Sequence, residues 1–558
     1  MSLVANLTMY LRTKYNLSGI FLVNVVQIWA GSTNILSIVG AIVSDVYLGR
    51  FRTLLFGTIL SLLGMVCMTL TAGINKLRPP PCHDQQSQCI QPHNMQLPFL
   101  FTALGLIALG AGGIRPCNIA FGADQFDTRT KNGRAQLESF FNWWYFSFTI
   151  ALVISLSGVV YVQTNISWLI GLAIPTACFV VSITIFLIGR HSYIYKRPEG
   201  TVFVDIAKVV VAAFKKRKID LKSGNREYSF YDPIEEVEFD IDKSLNKVKR
   251  FKCLDKAALI TDDPSDELDS RGKPKNGWRL CSVNQVENLK CLIGILPVWI
   301  SGLGCFVAMD QQSTFGVLQA IQMNRTIGKN FVIPPAWLGI TSMISLSIWI
   351  FIYEQIYIPN AKRILKRESK LTMQQRITVG IITSILCMVV AGIVEEKRQE
   401  SALKRGTFVS PLHVVALIPQ FMLSGLTEAF AAVALMEFFT LQIPEKMRSV
   451  AGAIFFLTLS FGSYLSSLIV NVIHCVTKGK GENGWLGGHD LNSNRLSNYY
   501  YIIAGLEAVN LIYFTFFASN FVHCGKAIKV VGEEELELEN NMGIKDEEQG
   551  LGQENNRS

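Results

Sequence analysis

Residues 98–121 read PFLFTALGLIALGAGGIRPCNIAF, an apolar run whose one charge is Arg115, preceded by Gly110-Ala111-Gly112-Gly113. A helix rises about 1.5 Å per residue and a hydrocarbon core is roughly 30 Å thick, so about 20 such residues cross it. Runs of the same kind recur at Ile20 to Ser44, Thr53 to Ile74, Phe140 to Val162, Ile166 to Gly189, Leu289 to Met309, Val332 to Ile358, Ile377 to Val394, Leu412 to Phe439, Val450 to Cys475 and Tyr499 to Phe521. Together they predict eleven complete membrane spans. Of the 558 residues, 50% are hydrophobic and 17% charged, which is too apolar for an ordinary soluble chain and makes the lipid bilayer the solvent.

Ahead of these spans, Met1 to Leu11 is apolar and helix-compatible, but Arg12 and Lys14 follow at once. Eleven helical residues reach about 16 Å, half the core, and no basic flank or cleavage site marks a signal peptide. The expectation is a first helix truncated at its N-terminus, giving an all-α membrane protein of two six-helix bundles. A net charge of +9 would suit nucleic acid in a soluble protein. Here the cations gather in alternate loops: Arg50 and Arg52, Arg129 to Arg134, the stretch from Arg190 to Glu287, and Lys362 to Arg376. That distribution excludes a nucleic-acid reading and places these loops in the cytosol. The loop expected to carry Lys397, Arg398, Lys404 and Arg405 runs against the rule, offset by Glu395, Glu396 and Glu400. The resulting organisation is an N-terminal bundle over 1–190, a cytosolic linker with short amphipathic helices over 191–288, a C-terminal bundle over 289–522 and a disordered acidic tail over 523–558. Two equal bundles about a central site are the layout of a rocking secondary transporter.

No phosphate-binding Gly-x4-Gly-Lys loop, zinc-binding His-Glu-x2-His, Cys-x2-Cys pair or Gly-x-Ser-x-Gly elbow occurs, so an enzyme has no footing in the sequence. Charges at bilayer depth are costly and are functional candidates by default. Glu428 lies near the middle of its span, and ionised it needs a partner, a cation or a proton. Arg115 follows three glycines that admit a close helix neighbour and precedes Pro116; its fork of donors suits an anion or an intramembrane acid. Asp310, near the outer end of its span, is a further candidate for substrate or proton coupling. Asp45 and Arg50 straddle a cytosolic turn, where they are expected to gate the helices rather than touch substrate. Glu437 is expected to be interfacial and structural. Cys82 and Cys89 share a Pro-rich outer loop and are candidates for a disulfide.

The run Gly40-x4-Asp45-x3-Gly49-Arg50-x2-Thr53, the run Gly112-Gly113-Ile114-Arg115-Pro116-Cys117-Asn118 leading into Phe121-Gly122-Ala123-Asp124-Gln125-Phe126-Asp127, and Phe140-Phe141-Asn142-Trp143-Trp144-Tyr145 carry a resemblance. Phe251-x-Cys253-Leu254-Asp255-Lys256-Ala257-Ala258 and Glu428 add to it. Over nearly its whole length the chain resembles the proton-coupled oligopeptide transporters of the major facilitator superfamily, in their plant nitrate/peptide branch. The resemblance implies alternating access driven by a proton gradient, with the proton as coupling ion, no other cofactor, and a small anionic substrate such as nitrate. Arg115 stands where the family commonly has lysine, Glu428 matches an acid of the central cavity, and Thr53 matches a position that a relative phosphorylates. The chain departs from the family in beginning just after its first-helix Glu-x-x-Glu motif and in having no histidine between Leu289 and Arg325. Two other readings stay open: a carrier of glucosinolates or other anionic metabolites, and a truncated, non-transporting receptor or regulatory form. Plasma membrane is the expected location and vacuolar membrane the second; oligomeric state is not legible.

Overall fold

The computed structural model describes residues 2–17, 19–80, 90–93, 95–126, 130–195, 202–217, 230–231, 252–260, 267–269, 274–328, 331–365, 371–442, 448–478 and 484–522. Cys82, Cys89 and the acidic tail lie outside them.

The helices are α1 (Ser2–Lys14), α2 (Gly19–Val43), α3 (Arg50–Gly73), α4 (Gln96–Ala123), α5 (Lys131–Ile154), α6 (Trp168–Ile188), α7 (Val202–Lys215), α8 (Val283–Gln311), α9 (Leu338–Ile352), α10 (Met373–Arg405), α11 (Ile418–Thr427), α12 (Arg448–Thr477) and α13 (Leu496–Tyr513). Single π turns lengthen several of them, so that α2 runs on through Ser44–Leu48 and α11 through Glu428–Ala432 into Val433–Gln442. Among the described residues, eleven helices are long and apolar enough to cross a membrane, and they coincide with the eleven expected runs. Large apolar side chains such as Ile188, Phe351 and Phe516 stay exposed on their outer faces. Lipid is as apolar as these side chains, so helix association rests on close packing and internal hydrogen bonds.

Short α1 occupies the outer half of the first bundle. The Ser2 amide donates to Ser155 Oγ at 2.9 Å, and Asn6 Nδ2 donates to Gln163 Oε1 and Thr164 Oγ1 at 3.2 and 3.1 Å. Thr8 Oγ1 crosses to the second bundle, donating to the Ser313 carbonyl at 3.1 Å.

One helix differs from expectation. The apolar run at Ile377 ends at Val394, yet α10 continues to Arg405 and is closed by Gly406 in the left-handed conformation. Glu395 and Arg398, expected in a loop, sit one turn apart inside the helix and are both 0% exposed. The Arg398 fork donates to both Glu395 oxygens, at 2.7 and 2.8 Å, and Nη1 reaches Asn492 Oδ1 at 2.8 Å. Gln319 Nε2 adds a donor to Glu395 at 2.8 Å. Mutual neutralisation makes the pair tolerable there. It also reduces the exception to the charge rule, since Arg398 is buried in the helix while Lys397, Lys404 and Arg405 stay exposed.

The linker folds against the second bundle. Val209 and Ala212 of α7 pack with Ala257, Ala258 and Cys281 onto Val286 and Leu289 of α8. Lys290 Nζ on α8 is held by Asp255 at 2.6 Å and Glu287 at 2.8 Å, so the Asp255-Lys256-Ala257-Ala258 motif is the clamp. Lys216 bonds to the Leu259 carbonyl at 2.6 Å and Glu267 at 3.2 Å. Burial pushes its ammonium below the usual lysine range, while the Glu267 charge acts in the opposite sense.

Candidate functional site

The two bundles meet along α2 and α12 in the outer half. Asn24, Gln27 and Gly31 recur at helical spacing on one face of α2. Asn24 exchanges hydrogen bonds with Asn471 and Ser467 of α12, Gln27 Nε2 donates to Ser466 Oγ at 2.6 Å, and Gly31 packs on Ser460 and Tyr464. Ser32 and Tyr464 share a bond of 2.9 Å. Ser466 Oγ also accepts from Gln311 Nε2 at 2.6 Å, tying α8 to the same seam. Further out, an Arg12 guanidinium nitrogen donates to the His489 carbonyl. No hydrogen bond or ion pair joins the bundles in their inner halves, toward the linker, among the described residues. The described bonds between the bundles thus gather on the outer side.

Asn34 continues the α2 face one turn inward from Gly31, where α12 no longer bonds to it. There Arg115 Nη1 donates to Asn34 Oδ1 at 2.8 Å. Arg115 is exposed and forms no ion pair with any described carboxylate. Its position depends on the preceding glycines. A Cβ on Gly110 would lie 2.6 Å from the Gly57 carbonyl oxygen of α3, and one on Gly112 would lie 2.7 Å from that of Leu36 on α2. A Cβ on Gly40 would meet the Gly112 carbonyl oxygen still more closely. With α4 pressed against both α2 and α3, its cation is held beside α2 at Asn34.

On the second bundle, Glu428 begins the π turn Glu428–Ala432, a local widening of the helix frequent at functional sites. Its carboxyl is half-buried, and no described residue bonds to it. Small residues fix its helix: Gly425 lies against the Ser342 backbone of α9, Ala431 against Gly380 of α10, and Thr427 Oγ1 donates to Thr383 Oγ1 at 3.2 Å. Asp310 on α8 lies beside Ser463 of α12, at the inner edge of the seam, and its Oδ2 is buried without a partner. Arg115, Glu428 and Asp310 come from three different helices, and among the described residues no hydrogen bond or ion pair links them to one another.

Asp45 and Arg50 are brought together at the inner end of the first bundle. Arg50 Nη1 pairs with Asp124 at 2.6 Å and Nε with Asp45 at 3.8 Å, closing a brace from the α2–α3 turn to α4. Thr53 is only 5% exposed; its hydroxyl donates to the Gly49 carbonyl at 3.0 Å, and its backbone abuts Gly113. Glu437 pairs with Arg376 near the inner end of α10.

Sequence reasoning passed over Glu507. It is 2% exposed on α13, accepts from Ser384 Oγ at 3.1 Å and Asn510 Nδ2 at 3.3 Å, and fits only because Gly304 has no Cβ. An acid in the middle of an expected span was the signal, the same one that marks Glu428. Asn34 carried no such signal, since a lone amide in an apolar helix is commonplace. Among the described residues no group of three or more His, Cys, Asp or Glu is placed to hold a metal.

The family model described as PTR2, POT family, matches residues 51–486. Protein NRT1/PTR FAMILY 2.8 of Arabidopsis thaliana is 56% identical over 523 residues, covering 93% of this chain and 92% of the relative. Protein NRT1/PTR FAMILY 2.13 of the same plant is 41% identical over 93% of this chain and 83% of its own length. Among solved structures, the POT family transporter PepTSo superposes with a TM-score of 0.65 at 17% identity, over 93% of this chain and 94% of that one. A peptide transporter POT in complex with sulfate gives 0.59 at 12% identity, over 94% and 92%. These likenesses agree with the two-bundle architecture and with the absence of an enzyme's motifs: the chain belongs to the plant NRT1/PTR branch of the POT family and is a multi-pass membrane transporter of the major facilitator fold.

Proposed function

We propose that this transporter moves nitrate or a related small anion together with protons by alternating access. The observation that carries the reading is Arg115, an exposed guanidinium whose one described partner is the neutral Asn34. A planar fork of donors with no carboxylate to satisfy it is suited to an oxyanion. That a solved relative is a complex with sulfate supports an anion of this size. Glu428 and Asp310 supply the proton side. Each is a carboxyl with no ion pair among the described residues, so each is suited to exchange a proton when the bundles rock and to favour one conformation by doing so. Asp45, Arg50 and Asp124 brace the inner end of the first bundle through the cycle, and the plasma membrane is the location that suits uptake.

The test is uptake of labelled nitrate by cells expressing the chain, at acidic and at neutral external pH. Uptake should rise as the outside is acidified. Arg115→Ala should lower it by roughly tenfold or more, the equivalent of about 1.4 kcal/mol of lost anion binding. Normal uptake by correctly inserted Arg115→Ala removes the arginine from the site. Uptake of a glucosinolate in place of nitrate, still lost in Arg115→Ala, keeps the site and changes the substrate.

A further inference from the structure

Where α3 begins, a cleft of about 550 Å³ opens at the inner end of the first bundle, lined by Tyr47, Arg50, Phe51, Arg52, Phe121 and Tyr195 among others. Arg50 is committed to Asp124 and Asp45. Arg52, one residue beyond Phe51, is exposed and forms no ion pair among the described residues. The floor is a packed aromatic cluster: the Phe51 ring lies 5.0 Å from Phe186 and 5.1 Å from Tyr195, and Tyr193 lies 5.4 Å from Phe186. On the far side of this cluster a second hollow of about 570 Å³ runs along the bilayer-facing side of α6, lined by Cys178, Val181, Ser182, Ile185, Phe186 and Tyr193. Phe186 and Tyr193, which line the second hollow, pack on Phe51 and Phe121, which line the cleft, so one aromatic cluster joins a cleft bearing an Arg52 with no described ion pair to a largely apolar groove on α6.

A soluble anion would use only the cleft. A phospholipid has one group for each part, with its phosphate at the guanidinium and an acyl chain along α6, and basic pockets between helices on the cytosolic side of a membrane are suited to anionic headgroups. We propose that this pair of cavities is a binding site for one anionic phospholipid of the cytosolic leaflet, with Arg52 as the phosphate contact and the Val181–Ser182–Ile185 groove as the acyl contact. The site lies against the Asp45–Arg50–Asp124 brace, so an occupied site would stiffen the inner end of α3.

The experiment uses the full chain in nanodiscs of phosphatidylcholine alone or mixed with phosphatidylglycerol. The anionic lipid should raise the thermal unfolding midpoint by about 2–4 °C, the size expected for a single cation–headgroup contact in a domain of this kind. Arg52→Gln should abolish the rise, Arg52→Lys should keep most of it, and Ser182→Trp, which fills the groove, should reduce it with Arg52 intact. Native mass spectrometry of the wild type should retain one phosphatidylglycerol in preference to phosphatidylcholine, a readout that does not depend on the variants folding. Equal midpoints in the two nanodiscs, or a rise that survives Arg52→Gln, overturn the proposal. So does the same rise from inorganic phosphate added to phosphatidylcholine nanodiscs, which would make the cleft a site for free anions.

Discussion

Glu395 and Glu428 stand on packed helices of the same bundle and are treated in opposite ways. Glu395 is fully buried with both oxygens bonded by Arg398 and a third donor from Gln319. Glu428 is half-buried at a π turn with no described partner. Both are costly in an apolar medium, but the first cost is offset inside the helix and the second is left open. The pair beside Asn492 therefore behaves as structure. Glu428, with no described partner, has no such bond to lose when its surroundings change. Arg398 and Arg115 repeat the contrast among the cations.

The largest effect expected from this difference is on stability. Arg398→Ala leaves the Glu395 carboxylate buried and unpaired, and should cost about 3–5 kcal/mol, seen as a large fall in the unfolding midpoint of purified protein. The double variant Glu395→Gln with Arg398→Met should recover most of that loss. If the single variant is as stable as wild type, the pair is not structural and the contrast fails. Glu428→Gln should do the reverse: a stability change within about 1 kcal/mol, with uptake that no longer rises in acid because the side chain is fixed in its neutral form. Retained acid stimulation in that variant would move the coupling to Asp310. The smallest effect concerns the seam. Ser466→Ala removes the acceptor shared by Gln27 and Gln311 and should weaken outer closure by about 1 kcal/mol, roughly a fivefold shift in population. Spin labels on the outer loops of the two bundles would report that shift as a longer distance component.

Most of the architecture could be read from the chain, because hydrophobic length is a direct consequence of bilayer thickness. All eleven runs became helices, and Arg115, the one charge in its run, is bonded to Asn34 of the neighbouring helix. The end of α10 could not be read in the same way. A count of apolar residues stops at Glu395, and only the three-dimensional partners Gln319 and Asn492 show why two charges can continue a helix. The outer seam was equally hidden, since Asn24, Gln27 and Ser466 are neutral side chains that mean little until α2 and α12 are placed together. Glu507 was legible and went unread. Its burial next to Ser384 is what distinguishes it from Glu428, and burial of that kind is not a property of sequence.

The clamp between Lys290 and Asp255 has a mechanical consequence. With α7 and the Ala257–Ala258 turn seated on α8, the described linker forms a stiff arm belonging to one half of the carrier alone. If the halves rock, an arm seated in this way on α8 would move with the second bundle. Cys253, exposed two residues before Asp255, lies on this arm. A dye there and a second on the inner end of α3 would turn each transport cycle into a change in energy transfer, following the halves in a working membrane without any label near the substrate path.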